Sequence, residues 1–98
     1  MQHLLFKAST ESWGELDKWR AQLDKFDWGI IRLFAKRVKI SKRIGEWKRN
    51  NHKAIVDSGR EAKLLSSRLD WAAKMGLDVP AITKIFCEII NLSRKVQE

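Results

Sequence analysis

The sequence has few of the residues that build disulfide, metal or nucleotide sites. Its 98 residues include one cysteine, Cys87, and two histidines, His3 and His52. A lone cysteine excludes an internal disulfide framework and is typical of a reducing compartment, so we expect a cytoplasmic protein. These residues do not make a metal-ligand cluster at a recognised spacing, and glycine-rich phosphate loops are missing as well. We therefore expect no cofactor and no metal.

Long apolar runs are also missing. None approaches the ~20 residues that span a bilayer, so we expect no membrane partner. The apolar stretch 1–6 is too short, and Lys7 too close, for a secretory leader. The length predicts one domain over residues 1–98, with residues 1–12 as a variable lead. A chain of this length can bury only a small hydrophobic core by itself, which favours a dimer.

The main feature of the sequence is one stripe of apolar residues at helical spacing. Apolar side chains recur at steps of three and four over residues 13–49, and no proline interrupts them. The positions on the stripe are Leu16, Trp19, Leu23, Phe26, Ile30, Leu33, Arg37, Ile40, Ile44 and Trp47. The pattern predicts a long first helix that starts at a capping box over Ser12–Glu15 and closes at Asn50-Asn51.

The length of this helix predicts a partner. About 37 helical residues make a rod of roughly 55 Å, whereas a compact domain of this size has a radius of gyration of only ~13 Å. The rod is therefore longer than a compact domain. Its apolar stripe continues to both ends, so the part that extends beyond the domain needs another apolar surface packed against it. A second copy of the chain is the expected cover, because most soluble oligomers are symmetric homodimers.

Cations interrupt the apolar stripe. Arg37 and Lys48 lie eleven residues apart, close to three full turns, so they share a face, and Arg20 lies beside the stripe. A buried unpaired ion costs several kcal/mol. Two explanations follow: an anionic ligand between the helices, or internal ion pairs with carboxylates such as Asp24, Asp27, Asp57 and Glu61.

The formal net charge of +8 also admits two interpretations. Most lysines fall off the stripe, as on an ordinary solvated face, while a basic helix with tryptophans can bind nucleic acid. Because Trp19 and Trp47 lie in the stripe, packing is the better explanation of them. We therefore expect no nucleic-acid partner, and a nucleic-acid-binding module stays a remote alternative.

Two shorter helices complete an all-α fold. A second capping box, Ser58–Glu61, predicts a helix to about Met75, closed by Gly76. Asp78 and Pro80 predict the cap and first turn of a third helix. The apolar face of that helix gives way to Ser93 and Gln97 in its last two turns.

These polar positions, taken in order, resemble the AroQ-class chorismate mutases, an all-helical family in which a long first helix entwines two subunits. The resemblance covers roughly residues 15–98. It rests on scattered segments in a fixed order: Trp19-Arg20, Leu23, Phe26-Asp27, Ala35-Lys-Arg37, Gly45-Glu-Trp-Lys48, Asp57-Ser-Gly-Arg60-Glu61 and Ser93-Arg-Lys-Val-Gln97. It implies an entwined homodimer that converts chorismate to prephenate.

The resemblance also implies roles for eight residues. Arg37 and the partner subunit's Arg20 would hold the substrate carboxylates, with Ser93 and Arg60 as supporting donors. Lys48 and Gln97 would donate to the ether oxygen. Asp57, partly through its backbone, and Glu61 would accept the ring hydroxyl. The catalytic set is thus Arg37, Lys48 and Gln97.

Two related activities are the nearest alternatives. Isochorismate pyruvate lyases share the fold but usually lack the acidic pair that this chain has at Asp57 and Glu61. Aminodeoxychorismate mutases act on the 4-amino analogue and tend to depart from the pattern near these positions and near Ser93 and Gln97. This chain keeps the pattern at both places, so chorismate mutase is the expected activity. Asp57 and Glu61 could also accept a ring ammonium, which leaves the 4-amino analogue open as a second substrate.

Overall fold

The computed structural model describes the backbone of residues 2–98 and the side chains of residues 13–98. Residues 2–98 form three α-helices and no strand: α1 (Gln2–Asn50), α2 (Ser58–Lys74) and α3 (Val79–Gln97). The predicted all-α class with a very long first helix is confirmed. The chain divides into two compact units, Met1–Lys36 and Arg37–Glu98, which we describe separately. The single domain and the entwined dimer stay predictions.

The first unit, as far as its side chains are described, is one stretch of α1. The stripe residues in it are exposed in the isolated chain, with 58% of Trp19, 60% of Leu23 and 68% of Phe26 accessible to solvent. Arg20 is exposed too, and its Nη1 lies 4.0 Å from Oδ1 of Asp17. A helix stripe of this kind normally faces a core, so its exposure leaves an apolar surface without cover.

The second unit contains the end of α1, together with α2 and α3. Helix α2 packs against α3, and Leu64, Ala72 and Ile89 are the apolar side chains buried among the described residues. Two polar side chains are equally buried, Ser41 on α1 and Gln97 on α3. A buried polar group needs a hydrogen-bond partner, so we expect Ser41 and Gln97 to make hydrogen bonds inside the core.

The helix ends agree in part with the predicted capping. The Asp78 carboxylate accepts from the Ala81 backbone N–H and caps α3, with Pro80 in its first turn. Gly76 has a φ of +73°, the left-handed geometry expected after α2. Asp57, and not the predicted Ser58, caps α2, and its Oδ1 accepts from the Arg60 N–H at 3.0 Å.

Two predicted features of α1 are wrong. The helix begins at Gln2, so Ser12 is not its start; the side chain of Ser12 lies outside the described residues. Its end at Asn50 agrees with the prediction, but the left-handed residue is His52, with a φ of 55°, and not the asparagine pair. Asn51 serves instead through its side chain, whose Nδ2 donates to the Trp47 carbonyl at 2.8 Å.

Candidate active site

The end of α1, the loop after it, the α2 region and α3 surround a cleft of about 320 Å³, a volume within the range of small-molecule pockets. Helix α1 contributes residues four, three and four positions apart, which share one face. The α1 residues are Arg37, Ser41, Ile44 and Lys48; Ile55 comes from the following loop; the region of α2 supplies Asp57, Arg60, Glu61 and Leu64; and α3 supplies Ile90, Ser93, Arg94 and Gln97.

One end of the cleft is built around Arg37. Its Nη1 donates to the Ser93 hydroxyl of α3 in a short hydrogen bond, and the Ser41 Oγ lies 3.4 Å from the Ser93 Oγ. Burial, together with the nearby Arg68 and Arg60, lowers the pKa of Arg37. The guanidinium is half-buried, and it remains charged because arginine does not deprotonate in proteins.

Lys48 and Gln97 meet at the other end. The Lys48 Nζ donates to the Ile55 carbonyl at 2.6 Å and to the Gln97 Oε1 at 2.7 Å. An ammonium has three donors, so one N–H of Lys48 is left for another acceptor. Because the Gln97 oxygen accepts from Lys48, its NH₂ group is the part of the amide available to donate.

Gly45 permits the approach that brings Gln97 to Lys48. A Cβ at this position would lie 2.6 Å from the Gln97 carbonyl oxygen and 2.7 Å from the Gln97 Cα. Both are backbone atoms, so α1 and α3 meet here at a distance that only glycine allows. Arg49 reinforces the contact by donating to the Gln97 carbonyl oxygen at 2.7 Å.

An acidic pair lies at the start of α2. The Glu61 carboxylate accepts from two N–H groups of Arg94 on α3, Nε at 2.8 Å and Nη2 in a shorter bond. This hydrogen bonding lowers the pKa of Glu61, and Lys48 lowers it further, against the opposing effects of burial and Asp57. The Asp57 carboxylate, in contrast, serves as the α2 cap.

Three cations of the cleft have no carboxylate of their own. Among residues 13–98, no acidic oxygen lies within 4.0 Å of the charged nitrogens of Arg37, Lys48 or Arg60, and the ion pairs in that range are Arg20–Asp17 and Arg94–Glu61. Internal ion pairs therefore do not explain Arg37 and Lys48, the two cations on the face of α1 that lines the cleft. A cleft with partly buried, unpaired positive charge is instead suited to an anionic ligand.

The cleft brings together seven of the eight predicted site residues: Arg37, Lys48, Asp57, Arg60, Glu61, Ser93 and Gln97. The eighth, Arg20, belongs to the first unit. Sequence reasoning missed Ser41 and Arg94. The position of Ser41, four residues after Arg37 and seven before Lys48, gave a usable signal, because this spacing places a hydroxyl on the face of α1 that carries both cations. Arg94 gave none beyond its place between Ser93 and Gln97.

The described residues lack two further features, a metal-ligand cluster and a membrane span. No group of three histidine, cysteine, aspartate or glutamate side chains there is arranged to hold a metal ion. Within the described helices, no segment combines the length and hydropathy of a membrane span.

Comparison with known proteins assigns the family. Residues 19–98 match the family described as chorismate mutase type II. The chain belongs to this family. The match spans the whole second unit, with the cleft, and the part of the first unit that carries Arg20.

The names of two curated relatives of this chorismate mutase family chain give three activities: chorismate mutase and prephenate dehydratase for one, and isochorismate pyruvate lyase for the other. It is 33% identical over 84 residues to the bifunctional chorismate mutase/prephenate dehydratase of Buchnera aphidicola, covering 86% of this chain and 22% of that protein. It is 31% identical over 72 residues to the isochorismate pyruvate lyase of Pseudomonas aeruginosa, covering 74% of this chain and 70% of that protein. The chain thus spans about a fifth of the first relative and most of the second. No solved structure matches it.

Proposed function

We propose that this chain is a chorismate mutase, which converts chorismate to prephenate by a [3,3] rearrangement. The observation that carries the proposal is the cleft that Arg37 lines at one end and Lys48 and Gln97 at the other, with no described carboxylate paired to either cation. The reaction breaks the C–O bond of an ether and forms a C–C bond within one molecule, with no proton transfer. A site that only binds and orients is sufficient for it.

The two carboxylates of the substrate fit the Arg37 end. Arg37 uses one N–H toward Ser93, which holds the guanidinium in place and leaves its other donors for a planar anion. Arg60 lines the same cleft as a second cation. Fixing both carboxylates restrains the flexible diacid in its folded, reactive conformer, and orientation of this kind supplies up to about 7–11 kcal/mol in favourable systems.

The ether oxygen would lie beside the hydrogen-bonded pair of Lys48 and Gln97, within reach of the N–H groups that the pair leaves free. Negative charge grows on this oxygen as its bond to carbon breaks, and the free N–H of Lys48 and the Gln97 NH₂ are donors already held in place by their mutual hydrogen bond. Preorganised donors of this kind contribute about 2.7–4 kcal/mol each at developing oxyanions. The packing at Gly45 holds the backbone of Gln97 at this position.

The ring hydroxyl fits the start of α2. Glu61 is kept ionised by Arg94 and faces the cleft, so its remaining lone pairs can accept an O–H. Asp57 supports this role less through its side chain, since Oδ1 already accepts from the Arg60 N–H.

We further propose that the active form is a homodimer in the cytoplasm. The exposed stripe of the first unit, with Trp19, Leu23 and Phe26, would be covered by a second copy, and the partner subunit's Arg20 would complete the carboxylate site. Sedimentation tests this directly: we expect a dimer at micromolar concentration, and a monomer would contradict the proposal.

Because Arg20 acts from the other subunit, Arg20→Ala mixed with Arg37→Ala should regain activity through heterodimers with one intact site.

Isochorismate pyruvate lyase is the second candidate, favoured by the similarity to the Pseudomonas aeruginosa enzyme over 70% of its length. The acidic pair Asp57 and Glu61 in the cleft argues against it, because lyases of this fold usually lack that pair. Incubation of the purified chain with chorismate and, separately, with isochorismate distinguishes the two. Loss of chorismate with prephenate as product supports the mutase, whereas salicylate and pyruvate from isochorismate support the lyase. Turnover of neither substrate would contradict both.

A further inference from the structure

The ion pair between Arg94 and Glu61 is the strongest charge contact among the described residues of the cleft. The guanidinium meets the carboxylate in a fork, with Nε donating to one oxygen at 2.8 Å and Nη2 donating to the other. The two residues lie 33 positions apart, on α2 and α3, and both line the cleft. Fork pairing fixes the plane of the carboxylate as well as its charge.

Other charged groups also act on Glu61. Lys48 on α1 stabilises its ionised form, and Asp57 before α2 destabilises it. Arg37 and Arg60 line the same cleft without touching this carboxylate. The hydrogen bonds from Arg94 have the largest effect on the pKa of Glu61, which they lower, and Glu61 in turn raises the pKa of Arg94.

The pairing of the Glu61 carboxylate with Arg94 determines which substituent of a substrate ring the cleft can recognise. An ionised carboxylate that is paired with a guanidinium still accepts a hydrogen bond, so a neutral hydroxyl is recognised. An ammonium would gain strongly from an unpaired carboxylate, but it gains little from one whose charge is already compensated. The pair therefore favours a hydroxyl.

The total charge of the cleft also favours a substrate with a ring hydroxyl over one with a ring ammonium. Its described lining has four cationic and two anionic side chains, a formal excess of two positive charges. This excess matches a substrate with two carboxylates and a neutral ring substituent. A ring ammonium would leave the substrate with one net negative charge, which is the charge that a cleft without Arg94 would match.

We propose that Arg94 is a positioning residue that sets substrate choice, making the cleft prefer a hydroxyl-bearing ring over the same ring with an ammonium group. The inference rests on the proposed function and deepens it by naming the residue that selects the substrate. Arg94 acts through Glu61, which is the residue that contacts the ring substituent.

The test compares two substrates in matched variants. Arg94→Met removes the guanidinium and keeps most of the apolar stem, and Lys95→Met removes a positive charge from the next position, which is exposed and lies outside the described cleft lining. For each protein, kcat/KM is measured with chorismate and with 4-amino-4-deoxychorismate, and the amino compound is also measured as a competitive inhibitor. We expect Arg94→Met to shift the preference at least about tenfold toward the amino compound, and Lys95→Met to leave it unchanged.

A pH profile and a second mutation separate positioning from a purely structural role. Without Arg94 the pKa of Glu61 rises, so chorismate turnover by Arg94→Met should fall off at acid pH where the wild type does not. In a Glu61→Gln background, Arg94→Met should leave the substrate preference unchanged, because the group through which it acts is gone. Arg94→Lys, which retains the charge, should keep a preference close to that of the wild type. If Arg94→Met does not fold, Arg94→Gln, which removes the charge but keeps a polar side chain, takes its place and should show the same shift toward the amino compound.

The outcomes are distinguishable. Wild-type turnover of chorismate with an unchanged preference in Arg94→Met would overturn the role of Arg94 alone. An equal shift in the presence and absence of the Glu61 carboxylate would also overturn it, since Arg94 would then act on the substrate directly. A wild type that turns over neither compound would overturn the proposed function itself.

Discussion

Replacing Gly45 by alanine tests whether the approach of α1 to α3 sets the geometry of the cleft. The added methyl group would lie 2.6 Å from the Gln97 carbonyl oxygen, and separation to an ordinary 3.4 Å contact needs a shift of about 0.8 Å. Because the contacted atoms are backbone, rotation of a side chain cannot relieve the clash. The end of α3 must move away from α1.

This displacement acts on the proposed donor pair. If the Gln97 side chain moves with its backbone, the distance from the Lys48 Nζ to the Gln97 Oε1 grows from 2.7 Å to at most about 3.5 Å, the limit of a hydrogen bond. Misplacement on the order of 1 Å costs about 100-fold in rate. Overpacking costs about 1–3 kcal/mol, and alanine returns about 1 kcal/mol of helix propensity, so the net loss of stability is at most about 2 kcal/mol.

The assay measures kcat/KM for chorismate and the melting temperature of each variant. Gly14→Ala is the matched control, since it makes the same change in α1 at a position with no described atom within 4 Å. We expect Gly45→Ala to lose about 100-fold in kcat/KM while it stays folded, and Gly14→Ala to keep full activity and melt slightly higher. Wild-type activity in a folded Gly45→Ala protein would refute the argument that this contact positions Gln97.

Three further predictions concern the polar groups of the cleft. Lys48→Ala should lower kcat/KM at least about 100-fold without loss of the fold, and a loss below about tenfold would remove Lys48 from its proposed role. Gln97→Glu should be active only toward acid pH, because an ionised carboxylate repels the ether oxygen whereas a protonated one donates to it; a flat pH–rate profile would be inconsistent with this position. The lowered pKa of Glu61 stabilises the fold above its ordinary value of 4.5, and that contribution disappears as the pH falls through the lower folded value. The melting temperature of Glu61→Gln should therefore fall less on acidification than that of the wild type, and parallel curves would contradict the assignment.

The local chemistry of the chain predicted most of the helices. Asp78, Pro80 and Gly76 act at helix ends through their own backbone geometry or through neighbours three residues away, so the sequence is enough to read them. The errors are equally local. Asp57 and Ser58 are both good caps one position apart, and His52 took a geometry that asparagine normally favours.

Helical period alone also placed Arg37 and Lys48 on one face, since side chains at that spacing on an α-helix must point the same way. The helical period does not predict which residue pairs with each charged side chain. The pairing of Arg94 with Glu61 spans 33 positions, and that of Lys48 with Gln97 spans 49. Such contacts depend on how α2 and α3 dock, and residue spacing carries no information about docking.

The amino-acid sequence by itself thus determined three helices, the face that carries the cations and, through the resemblance of scattered polar positions, the family. The tertiary structure decided that Arg37 and Lys48 on this face stay without a carboxylate partner, and that Arg94, a cation of α3 outside the predicted set, pairs with Glu61. It also showed that Gly45 lets two helix backbones approach closely enough for Lys48 to reach Gln97. The physical reason is that helix period and capping are fixed by bonds a few residues apart, whereas the charge balance of a cleft depends on distances between segments far apart in the chain.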